Sequence, residues 1–249
     1  MHVDGSRGER RLPPVPPRCY DCVALAWLSF AAGCTDVLTF LKLGDLFTSA
    51  MTGNVALLAI SAGRGQTLAA SRSCAALFGF ALGVALATGT NALRYGLQDV
   101  RSGIRRLLLL ELVLLLGSTA LWSISPDPVR GPALYGIVVL SAMSMGVQAV
   151  AARCITSSGI STVVFTTALI HIVMATTRTL AGANPAGAAP NSTRPHLATL
   201  AAYVCGAVLA GLLVSQQVSE AIWMPAFAVL AALGFQGISV ASQRAAPKL

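Results

Sequence analysis

Apolar residues gather into eight runs along this chain: Val23 to Leu41, Leu46 to Ala62, Cys74 to Leu93, Leu107 to Trp122, Ala133 to Ala151, Val163 to Thr176, Leu197 to Val214 and Ala221 to Val240. Most are long enough to cross, or nearly cross, a hydrocarbon core of about 30 Å as helices. None alternates apolar and polar residues with the two-residue period of a membrane strand. The predicted class is therefore all-α, a polytopic membrane helix bundle. The second and sixth runs are interrupted by Thr, Asn or Gly, and the sixth is the shortest. They occupy matching positions in the two halves of the chain, which predicts an internal duplication.

Composition agrees with a bilayer setting: of 249 residues 55% are hydrophobic and 10% charged, against a charged fraction near 25% in soluble domains. Mean hydropathy is +0.72. The net charge of +8 does not point to nucleic acid, because the basic residues sit singly or in short groups between apolar runs, without a basic stripe and interleaved aromatics. Such placement serves membrane orientation instead. Eight spans with the N-terminus inside would leave eleven Lys and Arg residues in the cytosol and six outside. Six spans, with the second and sixth runs as short or re-entrant helices, give thirteen inside and four outside, namely Lys42, Arg64, Arg72 and Arg130. Six is preferred by the positive-inside rule, and eight is the alternative.

Residues 1–20 then form a disordered basic cytosolic tail, 21–125 a first membrane repeat, 126–241 a second and 242–249 a short tail. Three crossings per half would make the repeats inverted, an arrangement common in secondary transporters. A signal peptide cleaved near Ala31-Ala32-Gly33-Cys34 would not explain the seven apolar runs that follow.

Candidate chemistry lies in a polar break, Gly33-Cys34-Thr35-Asp36, followed by Met51-Thr52-Gly53-Asn54. An ionisable side chain at bilayer depth costs roughly 2.5 kcal/mol or more and usually faces a bundle interior or a solute path. Asp36 reads either as a proton- or cation-linked carboxylate or as a cap at a local helix break. Thr52, Gly53 and Asn54 suit a solute or ion site and equally a tight helix crossing. A weaker copy returns 113 residues later as Gly146-Val147-Gln148, then Phe165-Thr166-Thr167-Ala168. The candidate binding residues are Asp36, Thr52, Gly53, Asn54, Gln148, Thr166 and Thr167. Arg153 could pair with Asp36 or a solute carboxylate, or anchor the helix at the interface. Glu111 has no basic residue three or four places away, so it pairs across helices or reaches the headgroups. Gly79, Gly83, Gly206 and Ala210 have the four-residue spacing of touching helix backbones, with Gly79 and Gly83 matched to Gly206 and Ala210. His171 reads as a hydrogen-bonded packing residue. The six cysteines, including Cys19 and Cys22, imply neither disulfide nor metal, and no cofactor is indicated.

Gly33-Cys34-Thr35-Asp36-Val37 with Leu46-Phe47-Thr48-Ser49-Ala50-Met51-Thr52-Gly53-Asn54, and then Met145-Gly146-Val147-Gln148, resembles the signature of the YoaK family of bacterial integral membrane proteins, domain of unknown function 1275. The resemblance covers about Cys22 to Val240 and implies around six membrane segments. Two departures stand out: Ala149 follows Gln148 where Asn is common, and Thr167-Ala168 replaces a Thr-Gly-like pair. The second half is therefore not expected to form an equal half-site.

With no HExxH, GxSxG or P-loop, the chain is not expected to be an enzyme. The favoured function is secondary transport of an unidentified small solute, coupled to a proton or cation, by a multi-pass protein of the cell membrane with a cytosolic N-terminus. A non-transporting scaffold or regulator is the alternative, and a membrane enzyme the weaker one. The expected partners are the lipid bilayer and the solute, with a homo-oligomer compatible.

Overall fold

The structure, a computed structural model, describes residues 19–92, 100–155, 169–170, 172–174, 176–177 and 193–244. The long elements are α1 (Cys19–Leu43), α2 (Met51–Gly63), α3 (Thr67–Ala92), α4 (Val100–Ser123), α5 (Gly131–Ile155), α6 (Thr193–Ser215) and α7 (Met224–Arg244), with a 3-10 turn, Ser219–Trp223, leading into α7. The expected tail before Cys19, most of the sixth apolar run, His171, Thr166 and Thr167 lie outside the described residues. The described parts of the sixth run, within 169–177, are helical.

Among the described residues, five helical stretches are long and apolar enough to cross a membrane: Asp21–Leu43, Thr67–Thr90, Gly131–Ile155, Pro195–Ser215 and Ser219–Gln236. Helix α4 is as long, at 24 residues, but carries Arg101, Arg105, Arg106 and Glu111. Its inward face is nonetheless continuous, with Ile104, Leu107, Leu108, Glu111, Leu115 and Ser118 all buried at helical spacing.

The second apolar run, expected as a short or re-entrant helix with a full span as the alternative, divides in two. It is not one helix: residues 44–50 are irregular, and α2 has only 13 residues, roughly 20 Å at 1.5 Å per residue. That length falls short of a hydrocarbon core. Gly44 and Asp45 stop α1 by taking φ of 97° and 56°, and the chain then folds back along α1. At the other end of α2, Gly65 adopts φ 68° while the Gln66 amide donates to Ser61 O at 2.8 Å and the Gly65 amide to Ala62 O at 3.1 Å. This left-handed cap satisfies the last carbonyls of the helix.

Side-chain contacts fix which helix ends lie together. Lys42 at the end of α1 pairs with Asp127 in the α4–α5 loop at 3.6 Å. The Ser71 and Tyr135 hydroxyls meet at 2.6 Å, joining the start of α3 to the start of α5, and Thr119 donates to Ile222 O at 3.3 Å. At the opposite end Gln236 donates to Asp21 at 3.3 Å. Helices α1, α4 and α6 thus run toward the Asp127 end, and α3, α5 and α7 run away from it. Helix α2 starts inside the bundle and emerges at the Asp127 end, because α3 begins there with Arg72 packed on Gly44.

Two helix crossings are made by bare backbone. Gly33 of α1 faces the Tyr203 carbonyl of α6, while Gly206 of α6 faces the Phe30 carbonyl of α1. Gly146 of α5 faces the Phe80 carbonyl of α3, while Gly83 of α3 faces the Met143 carbonyl of α5. A Cβ at any of the four would collide with the backbone atom opposite, so the helices touch at a separation that only glycine permits. Gly79 adds a contact to Val139 of α5, and Ala210 is buried against Cys34 and Leu38. Gly79, Gly83, Gly206 and Ala210 all lie at helix contacts, and the facing glycines match Gly83 to Gly206, one turn from the Gly79 to Gly206 match expected. The main core gathers Leu28, Leu107, Leu108, Leu115, Met145 and Val229 from α1, α4, α5 and α7.

Candidate functional site

Asp36 lies in the fifth turn of α1, seven residues before its end, so about 10 Å below the Asp127 end of the bundle. The irregular segment folds back to that depth. Asp36 Oδ1 accepts the backbone amides of Thr48 and Ser49, both at 2.8 Å, and lies 3.3 Å from the Thr48 hydroxyl. Oδ2 accepts the Ser49 hydroxyl at 2.5 Å and the Tyr203 hydroxyl of α6 at 2.9 Å. Only 1% of Asp36 is exposed. A carboxylate has about four acceptor sites, and five donors converge on this one, which satisfies the charge inside the bundle.

Asn54 closes the other side of the same segment. Its side-chain oxygen accepts the Phe47 amide at 2.9 Å and its nitrogen donates to the Phe47 carbonyl at 2.5 Å. The Phe47 ring stacks on Phe40 with centroids 5.0 Å apart and occupies the space where a Cβ on Gly53 would sit. Leu46 is buried, and its carbonyl lies 3.2 Å from the Thr39 hydroxyl. Every residue from Leu46 to Ser49 is thus tied to α1 or α2, and α2 needs no side-chain cap at Ala50. Thr52 is exposed and takes no part.

The remaining sequence candidates do not join this cluster. Gln148 is buried in α5 and donates to Leu28 O at 2.9 Å, two helical turns along α1 from Asp36. Arg153 is exposed near the end of α5, and Asp36 draws its donors from elsewhere. Glu111 does not reach toward headgroups: it is fully buried, and neither carboxyl oxygen has a hydrogen-bond partner among the described residues. Its level in the bundle follows from one contact. Ser118 of α4 and Ser141 of α5 meet at 2.6 Å, and in antiparallel neighbours two turns back from one and two turns on from the other bring Glu111 level with Gln148. Ser29, beside Leu28 on α1, is also buried with its hydroxyl unpartnered among the described residues.

Tyr203 was invisible as a member of the site from sequence alone, since it lies in a different apolar run from Asp36. A second polar feature sits at the Asp127 end. A cavity of about 290 Å³ opens between Leu38, Lys42, Trp122, Asp127, Gln217 and Ser219. Among the described residues, no three His, Cys, Asp or Glu side chains are grouped for a metal ion.

Long apolar helices, backbone-to-backbone glycine crossings and a short helix that starts inside the bundle define a multi-pass α-helical membrane protein. The chain belongs to the family described as Protein of unknown function (DUF1275), whose model matches residues 24–235, a span that includes the Asp36 cluster and both glycine crossings. It is similar to the UPF0700 transmembrane protein YoaK of Bacillus subtilis (strain 168), with 32% identity over 158 residues, which are 62% of this chain and 66% of that protein. No solved structure matches the chain.

Proposed function

We propose that the protein is a secondary permease for a small solute, built from two inverted repeats with six membrane crossings. The observation that carries this reading is the pairing of the glycine crossings. One offset along the chain carries Phe30 and Gly33 onto Met143 and Gly146, and another carries Tyr203, Gly206 and Ala207 onto Phe80, Gly83 and Val84. The contacts correspond as well: Gly33 meets Tyr203 O and Ala207 N, as Gly146 meets Phe80 O and Val84 N. Helix α1 runs toward the Asp127 end and α5 away from it, so the copies are inverted, and the first helix of each packs on helices of the other. Inverted repeats with broken helices near mid-depth are a recurring basis of alternating access, and α2 supplies such a break.

Six crossings also leave Lys42, Arg64, Arg72 and Arg130 at the Asp127 end, and, among the described residues, Arg101, Arg105, Arg106, Arg153, Arg194 and Arg244 on the opposite side. By the positive-inside rule the Asp127 end is extracellular and the N-terminus cytosolic. The cavity beside Lys42 and Asp127 would then be an outer vestibule.

The repeats differ where polarity matters. Asp36 and its partner Tyr203 correspond to Ala149 and Phe80, so the carboxylate and the hydroxyl that meets it are replaced together. In this reading Asp36 anchors the start of α2 and does not carry solute, since its acceptor sites are already engaged. The separation of Asp36 from Gln148 favours the second reading, a non-transporting scaffold. The discriminating experiment reconstitutes the purified protein in vesicles and records charge movement or uptake on challenge with panels of amino acids, organic acids, sugars and amines. Flux of one class above protein-free vesicles supports a permease. Silence across the panels, with folded protein confirmed by thermal unfolding, supports the scaffold.

A further inference from the structure

The Asp36 carboxylate is fully satisfied, whereas the other carboxyl inside the bundle is not. Glu111 has 0% exposure and no donor on either oxygen among the described residues. Leaving a buried polar atom unpaired costs about 1–3 kcal/mol, and more for a charged group, so an orphaned carboxyl in a packed core calls for a specific explanation. Its surroundings narrow the choice. Leu107, Leu108 and Leu115 flank it on its own helix face, and the same packed cluster contains Leu28, Met145, Val147, Val229 and Ala232.

Among the described residues no cationic side chain is available to it. On α4 the nearest basic residues, Arg105 and Arg106, are exposed. On α5 the residues around its level, 144–152, contain no ionisable group, and Arg153 beyond them is exposed. On α7 the buried residues of the shared cluster, Ala226, Ala228, Val229 and Ala232, carry no charge. On α1 the nearest charged residues on either side of Leu28 are Asp21 and Asp36, both acidic and each about two turns away. An ionised Glu111 would therefore have lost its hydration with no counter-charge in exchange.

We propose that Glu111 is a mid-membrane proton-binding site, set level with Ser29 and Gln148 where α4 packs on α5 and α7. A proton is the cation that matches a site enclosed by leucines and alanines, because it needs no coordination sphere and adds no volume. It bonds to one carboxylate oxygen on arrival from the aqueous phase and leaves through the same bond when the bundle opens. The proposal rests on the permease reading for its purpose, naming the proton as the coupling ion, but not for its existence. It places coupling on α4, two turns from the Ser118–Ser141 contact that sets the register with α5.

The test is infrared difference spectroscopy of the full chain in lipid nanodiscs at neutral pH, comparing wild type with Glu111→Gln and Glu111→Asp. A protonated-carboxyl C=O band present in wild type, lost in Glu111→Gln, displaced in Glu111→Asp and moved by transfer to D2O is the expected result. Glu111→Asp keeps the acid and reports even where the amide variant does not fold. Wild-type spectra with ionised-carboxylate bands alone, an acid band that persists in Glu111→Gln, or an acid band unmoved after prolonged D2O exposure would overturn the proposal. Because this readout needs no solute, silent vesicles with the Glu111 band present would count against the permease and not against the proton site.

Discussion

Replacing Asp36 by alanine removes the acceptor of two backbone amides that cannot turn elsewhere. Thr48 N and Ser49 N both point at Oδ1 from 2.8 Å, and both residues are buried. At about 1–3 kcal/mol for each stranded buried group, the two amides alone cost roughly 2–6 kcal/mol. The Ser49 and Tyr203 hydroxyls can rotate to other acceptors and add less. Asparagine behaves differently. Its amide oxygen can take the Oδ1 position, and its nitrogen can donate to the Ser49 and Tyr203 hydroxyls, which accept as readily as they donate. The loss is then one of charge assistance, partly offset because no charge is buried, or about 1–2 kcal/mol. Thermal unfolding in nanodiscs, followed by the fluorescence of the three tryptophans, should place Asp36→Asn close to wild type and Asp36→Ala well below both. Proteolysis within residues 44–50 should be faster in the alanine variant. An Asp36→Ala protein as stable as wild type to within about 1 kcal/mol would refute the anchoring role, since stranded buried amides cannot be that cheap.

Asn54→Ala should cost about 2 kcal/mol or more by freeing both the amide and the carbonyl of Phe47, read by the same unfolding assay with Gly53→Ala as a second disruption of the Phe47 seat. Tyr203→Phe removes one hydrogen bond to a charged group and should lower stability by about 1.5–3 kcal/mol, with no loss if the Asp36 contact is incidental. Gly33→Ala and Gly146→Ala should each destabilise by about 1–3 kcal/mol through overpacking against a facing backbone. By contrast Gly89→Ala, where nothing lies within 4 Å, should be neutral or stabilising by about 0.5–1 kcal/mol.

Much of this bundle is legible from local pattern. Apolar runs mark the helices, and the short, interrupted second run anticipates the 13-residue α2. Asp36 and Asn54 announce themselves as polar groups at depth. Their partners do not, because Thr48 and Ser49 come into reach only when the chain reverses at Gly44, and Tyr203 arrives through a crossing set by Gly33 and Gly206. Four-residue spacing marks Gly79 and Gly83 as packing residues but cannot say which turn meets which. Glu111 illustrates a different limit: Arg105 and Arg106 nearby suggest the interface, yet those arginines lie on the exposed face while Glu111, five residues on, belongs to the buried one. Only the register fixed by Ser118 and Ser141 reveals its level.

Inverted repeats with six crossings require that Gln66, after α2, lie on the same side of the membrane as Ser123, and opposite Ser102 at the start of α4. Single cysteines introduced as Gln66→Cys, Ser123→Cys and Ser102→Cys, in a chain stripped of its native cysteines, can be probed in intact cells with an impermeant thiol reagent. Labelling from outside at positions 66 and 123, with Ser102→Cys reached only after permeabilisation, is the predicted result. Labelling of Ser102→Cys in intact cells with Gln66→Cys protected would mean that α2 crosses the membrane, and the inverted arrangement would fall with it.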